Sequence, residues 1–210
     1  MSDETPNATI SLSRELGPWN GAPVHGVDFD GKLLWVALGD TLEAVDPTTG
    51  ETVRRLDVAA DAGTTSDGRY LYQLADSSIY KLDPETGAVV AKLPAPGGGK
   101  DSGLTWAEGK LYVGQYRDRK IHCIDAETGA LLRTIESDRF VTGVTWSGGA
   151  LWHATLENDA SDLRRIDPET GEVLERRAVP EGVRISGLGS NDESFFAGGG
   201  SSGRVRVLRR

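Results

Sequence analysis

The pentapeptide Asp-x-x-Thr-Gly occurs four times in the 210 residues, beginning at Asp46, Asp83, Asp125 and Asp167, at spacings of 37, 42 and 42. Each copy is a turn with a physical basis: Asp caps the backbone that follows it, Pro47, Pro84 and Pro168 preset φ, and the closing Gly supplies φ > 0. A second marker precedes each copy, a turn leading into a strand that closes on an aromatic: residues 31–35, 68–72, 109–112 and 149–152, ending at Trp35, Tyr72, Tyr112 and Trp152, with a weaker fifth copy at 192–196. Upstream again stand Gly26, Gly63, Gly103, Gly143 and Gly187, spaced by 37, 40, 40 and 44.

Each unit is therefore about 40 residues of four short strands, A to D from the centre outward. Thr, Val, Leu, Ile and aromatics alternate with polar residues, turns recur every 8 to 12 residues, and no stretch has a helical period. A period near 40 with four strands per unit predicts an all-β, five-bladed β-propeller: a single domain over residues 1–210, four antiparallel strands per blade. The blades fall at about 21–58, 59–96, 97–138, 139–180 and 181–210. The fifth unit stops after its strand C, whereas residues 8–16 form a spare strand ahead of the first strand A. Pairing the two closes the ring and removes an open edge, an aggregation hazard.

Composition narrows the setting. The formal net charge of −9 argues against nucleic acid or an anionic membrane as the main partner. No apolar run approaches the ~20 residues of a membrane span, and the polar leader over residues 1–7, expected to be disordered, lacks the features of a signal peptide. Cys123 is the only cysteine, so no intrachain disulfide forms. These features lead us to expect a cytoplasmic monomer; a secreted chain whose signal peptide has been removed would read the same.

Leu34-Trp35-Val36, Leu151-Trp152 and residues 165–171, with their copies, resemble a broad superfamily: the streptogramin B lyases, the regucalcin and gluconolactonase group, YncE-type propellers and bacterial glutamine cyclotransferases. The resemblance covers all five units but concerns scaffold positions. It implies a propeller, with the glutamine cyclotransferases the five-bladed members; the streptogramin lyases pair a histidine with an acid, residue types that His153 and Glu157 offer.

The repeats separate two faces. Near-uniform A–B and C–D turns share one; the D–A and B–C loops, different in every blade, share the other, where a specific ligand would be met. Aligning the blades gives His25, Ala62, Ser102, Thr142 and Ser186 just before the strand-A glycine, and Val36, Gln73, Val113, His153 and Ala197 after the strand-B aromatic. His25 and His153 interrupt these columns, and either is a candidate general base or acid partnered by Glu157 or Asp101. Each also reads as a structural histidine satisfied within the scaffold. Lys100, Arg117, Arg139 and Arg184, with Tyr116 and Phe140, form a candidate substrate-binding set that would hold a carboxylate through bidentate Arg contacts; loop solubility is the competing reading. Asp101, Glu157 and Asp61 offer oxygens to a divalent cation, but no spacing specifies a metal site. Gly97-Gly98-Gly99-Lys100 is only a fragment of a phosphate loop with no helix after it. Cys123 and His122 read as a small core residue and a solvent-facing strand residue. The expected function is therefore binding of, or action on, a carboxylate-bearing small molecule at the channel mouth: a lyase, hydrolase or cyclotransferase, or else a non-catalytic binding or scaffold propeller.

Overall fold

The computed structural model describes residues 8–19 and 21–210; the leader over residues 1–7 and Asn20 lie outside the described residues. Every sheet is one blade. Two N-terminal strands, β1 (Ala8–Thr9) and β2 (Ser11–Leu16), precede blade 1, which holds β3 (Gly26–Phe29), β4 (Leu34–Ala37), β5 (Leu42–Val45) and β6 (Thr52–Leu56). Blade 2 holds β7 (Thr64–Ser66), β8 (Leu71–Ala75), β9 (Ser78–Leu82) and β10 (Val89–Pro94), and blade 3 holds β11 (Asp101–Ala107), β12 (Lys110–Gln115), β13 (Lys120–Asp125) and β14 (Leu131–Glu136). Blade 4 follows with β15 (Phe140–Ser147), β16 (Ala150–Glu157), β17 (Ala160–Ile166) and β18 (Val173–Ala178), and blade 5 with β19 (Gly187–Ser190), β20 (Ser194–Gly198) and β21 (Val205–Arg209). Blade 5 takes β2 as its outer strand, in the order β19-β20-β21-β2. The chain is a five-bladed β-propeller of four-stranded antiparallel blades, closed by its N-terminal strand.

The closing segment does more than the sequence pattern indicates. Ser11–Leu16 runs antiparallel to β21, Leu16 opposite Val205 and Ser11 opposite Arg209. Ala8–Thr9 instead pairs in parallel with β18 of blade 4, and Ile10 N–H donates to Ala178 O at 2.9 Å. The chain steps from one blade to the next at Ile10, whose side chain is buried among Trp152, Leu163 and Leu208. The single strand expected over residues 8–16 is thus two, serving two blades.

Because strand residues alternate between faces, each blade buries one set of side chains against the preceding blade and the other against the next. The core is accordingly five slabs between blades. Trp35 and Leu42 meet Leu71 and Leu82 between blades 1 and 2, and Tyr112 and Ile121 meet Val144 and Leu151 between blades 3 and 4. The repeated turns behave as their residues dictate. Asp83 Oδ1 accepts from the N–H groups of Glu85 and Thr86, both at 2.9 Å, and Gly87 closes the turn at φ 74°. In blades 1 and 2 the aromatic after the A–B turn is tied to that turn's own carboxylate: Trp35 Nε1 donates to Asp30 at 2.7 Å and Tyr72 OH to Asp67 at 3.1 Å.

At the centre, the five strand-A glycines form a ring. A methyl group at Gly63 would lie 2.5 Å from Leu104 N, one at Gly103 2.7 Å from Val144 N, one at Gly143 2.7 Å from Leu188 N, and one at Gly187 2.9 Å from Gly26 Cα. Neighbouring backbones approach here as only glycine permits, which pinches the channel. One layer further along, side chains hand the ring from blade to blade. Asp28 accepts from Ser66 N–H at 2.9 Å, Thr65 Oγ1 from Trp106 N–H at 3.1 Å, and Thr105 Oγ1 from Trp146 N–H at 3.0 Å. Burial pushes the Asp28 carboxyl up to about 8, against the pull of these hydrogen bonds.

Candidate functional site

On the face of the D–A and B–C loops, a cavity of about 310 Å³ opens above the glycine ring. Ser102, Thr142 and Ser186, each immediately before its blade's ring glycine, form the floor; Tyr116, Leu156 and Arg184 are among the wall residues. The floor hydroxyls are not equivalent. Ser102 donates to Val141 O at 2.8 Å, and Ser186 donates to Val24 O at 2.6 Å while accepting from Gly200 N–H. Thr142 is 6% exposed and its Oγ1 has no hydrogen-bonding partner. A buried hydroxyl without a partner costs roughly 1–3 kcal/mol, so it marks a position where a ligand atom has something to offer.

Of the expected binding residues, Tyr116 and Arg184 line this cavity. Arg184 is largely exposed and pairs with Asp159 at 2.7 Å, a contact on the rim that an incoming carboxylate can replace. Phe140 stacks on Tyr116, centroids 4.8 Å apart, and the Arg119 guanidinium lies 4.4 Å from the Phe140 centroid, so Phe140 stiffens the wall from behind. Arg139 is committed to the scaffold through Ala160 O at 2.5 Å and Asp162 at 3.4 Å. Lys100 and Arg117 are exposed and form no ion pair among the described residues.

The expected catalytic residues are dispersed. His153 sits in the middle of β16 and Glu157 at its end, four residues apart and so ~13 Å along the strand. Glu157 pairs with Arg119 at 3.2 Å. His153 faces a cleft between blades 3 and 4, where burial, then the Arg164 charge, pushes the imidazole down to about 4. His25 belongs to the same column as the floor residues but does not line the cavity, and its ring lies beside Gly39. Asp101 accepts from Gly97 N–H at 3.0 Å, and burial raises its carboxyl above the usual carboxylate range. Asp101 and Asp61 share a separate cleft with Asp76 between blades 2 and 3. Among the described residues, no hydrogen bond joins an imidazole to a carboxylate, and no three His, Cys, Asp or Glu side chains are grouped as a metal site.

Two residues escaped the sequence reading for different reasons. Thr142 stood in the aligned column, but an unsatisfied hydroxyl leaves no trace in sequence. Arg164 is 2% exposed on β17; a charge at an inward strand position was the available signal, visible only once the strand's parity is known.

The family model described as outer membrane protein assembly factor BamB matches residues 75–209. No curated protein sequence matches. Among solved structures, the glutaminyl cyclase of Myxococcus xanthus superposes with a TM-score of 0.78 at 17% identity, covering 97% of both chains. The WD40 propeller domain of Doa1 gives 0.58 at 17% identity over 89% of this chain and 64% of its own. The computationally designed Ika8 protein gives 0.52 at 18%, over 89% and 58%. At these identities the likeness is one of fold. Among the described residues, no helix is long and apolar enough to cross a membrane.

Proposed function

For a chain that belongs to the family described as outer membrane protein assembly factor BamB, we propose a binding role: a propeller that captures a small carboxylate with an apolar body at its channel mouth. The observation that carries this reading is the unpartnered Thr142 hydroxyl in the floor of a cavity of about 310 Å³, the lower end of the range of small-molecule sites. Thr142 offers the ligand a hydrogen bond, Tyr116, Leu156 and Ile185 offer it apolar surface, and Arg184 at the rim draws its carboxylate. A catalytic role has less support, because among the described residues His25 and His153 have no carboxylate partner. The reading retains the expected monomer and cytoplasmic setting.

A second reading, a scaffold that engages a protein through the same face, is favoured by the family description, which names an assembly factor. A thermal-shift panel of aryl and alkyl carboxylates, repeated on Thr142→Val and Arg184→Ala, separates the two. The small-molecule reading expects a saturable rise in Tm that weakens about tenfold, ~1.4 kcal/mol, in Arg184→Ala. A panel without a hit, or a hit indifferent to both substitutions, rejects it.

A further inference from the structure

The cleft that receives His153 is a built cavity of about 200 Å³ on the side of the ring, away from the channel mouth. Its walls combine aliphatic surface from Ile135, Ile166 and Val173 with two arginines, Arg164 and Arg176. Of the two polar positions at its base, His153 departs from its counterparts in every other blade, while Arg164 extends a polar column that holds an arginine in blade 5 as well. His153 stands where blades 1, 2, 3 and 5 carry Val36, Gln73, Val113 and Ala197, and Arg164 where they carry Glu43, Tyr80, His122 and Arg206. The two are cross-strand neighbours on β16 and β17.

Two groups in this cleft have unused hydrogen-bonding capacity. His153 is 2% exposed, makes no side-chain hydrogen bond, and buries Nδ1 without a partner. Arg164 donates from Nε to Asp162 at 3.2 Å and from Nη1 to Asp138, while its Nη2 makes no hydrogen bond. Arg176 forms no ion pair among the described residues. Two carboxylates also line the cleft: Asp138, two-thirds exposed and paired with Arg164, and Glu136, turned toward Lys120 at 3.6 Å. A valine at position 153 would pack as Val36 and Val113 do, so an imidazole held there without a partner burdens the fold and contributes nothing to it.

We propose that this side cleft is a second ligand site, taking a short branched aliphatic carboxylate. Its carboxylate lies between Arg164 Nη2 and the Arg176 guanidinium, its alkyl group rests on Ile135, Ile166 and Val173, and the His153 imidazole completes the polar base. The volume suits such a molecule, since it equals the share of about seven waters at ~30 Å³ each. Guanidinium groups bind carboxylates by paired N–H donors, and inside the cleft that contact is screened less than at the surface.

The test is a titration of the full chain with 3-methylbutanoate at neutral pH, followed by NMR of the histidine ring signals and by calorimetry. The His153 ring signals are expected to shift saturably. Binding is expected to weaken tenfold or more in Arg176→Gln, an exposed position whose replacement leaves the fold intact, and in His153→Val. The His153 shift should persist unchanged in Thr142→Val, which alters only the channel mouth. Unperturbed His153 signals, an equal His153 shift in Arg176→Gln, or loss of the His153 shift in Thr142→Val would each overturn the assignment. The His153 signals report the cleft alone, so failure here is distinguishable from failure of binding at the mouth.

Discussion

Two buried side chains set opposite responses to acid. Asp28, pushed up to about 8, holds a proton in the folded chain that the unfolded chain has released. Its contribution is therefore largest below the usual carboxylate pKa of 3.8 and is lost as pH rises through about 8. His153, pushed down to about 4, refuses a proton that the unfolded chain accepts below 6.5. Stability tied to it is complete above 6.5 and declines as pH falls toward about 4, by about 3 kcal/mol at ~1.4 kcal/mol per pH unit. Denaturant unfolding between pH 4 and 9 should separate them. Asp28→Asn, which keeps an acceptor for Ser66 N–H, gains on the parent chain as pH rises, and His153→Val gains as pH falls. Stability curves that run parallel to the parent's would show that neither group titrates differently on folding. Neither response was legible in the sequence. Asp28 reads as an ordinary strand residue until the ring brings Thr65 and Ser66 of the next blade against it.

At the level of the element, strand A carries the most demanding constraint. The five glycines were legible as markers of the repeat, but their function was not, because a close approach between backbones some 40 residues apart has no local signature. Gly103→Ala should therefore cost more than helix or strand propensity implies. Its methyl group would meet Val144 N at 2.7 Å and Gly143 Cα at 2.8 Å, and overpacking against backbone costs about 1–3 kcal/mol. A Tm within error of the parent's would mean that the blades part easily and that the channel is not pinched. The turns and their aromatics were read correctly because Asp, Pro, Gly and Trp act on residues within five positions of themselves. The candidate site was read only in part. Tyr116 and Arg184 were placed at the mouth by loop membership, which sequence conveys. His153 was expected at the mouth as well, but β16 runs on to Glu157 and leaves the histidine in mid-strand, where it lines the cleft between blades.

For the molecule as a whole, the organising fact is that one blade is assembled from both ends of the chain. Its legibility came from simple counting: a unit short of one strand and a strand without a unit. That Ala8–Thr9 reaches past its own blade to blade 4 was not countable. Removal of residues 1–16 should leave Val205–Arg209 as a bare edge. The truncated chain is expected to elute as dimers or larger species in gel filtration and to melt less cooperatively, whereas a monomer with unchanged Tm would make the closure dispensable. The same closure also determines how the ring responds to tension. Because Ser11 lies opposite Arg209, both ends of the chain leave the closing ladder at the same edge. Once Ala8–Thr9 has parted from blade 4, traction on them peels the hydrogen bonds of that ladder apart one after another rather than loading them together, so the ring opens under a pull like a zip fastener.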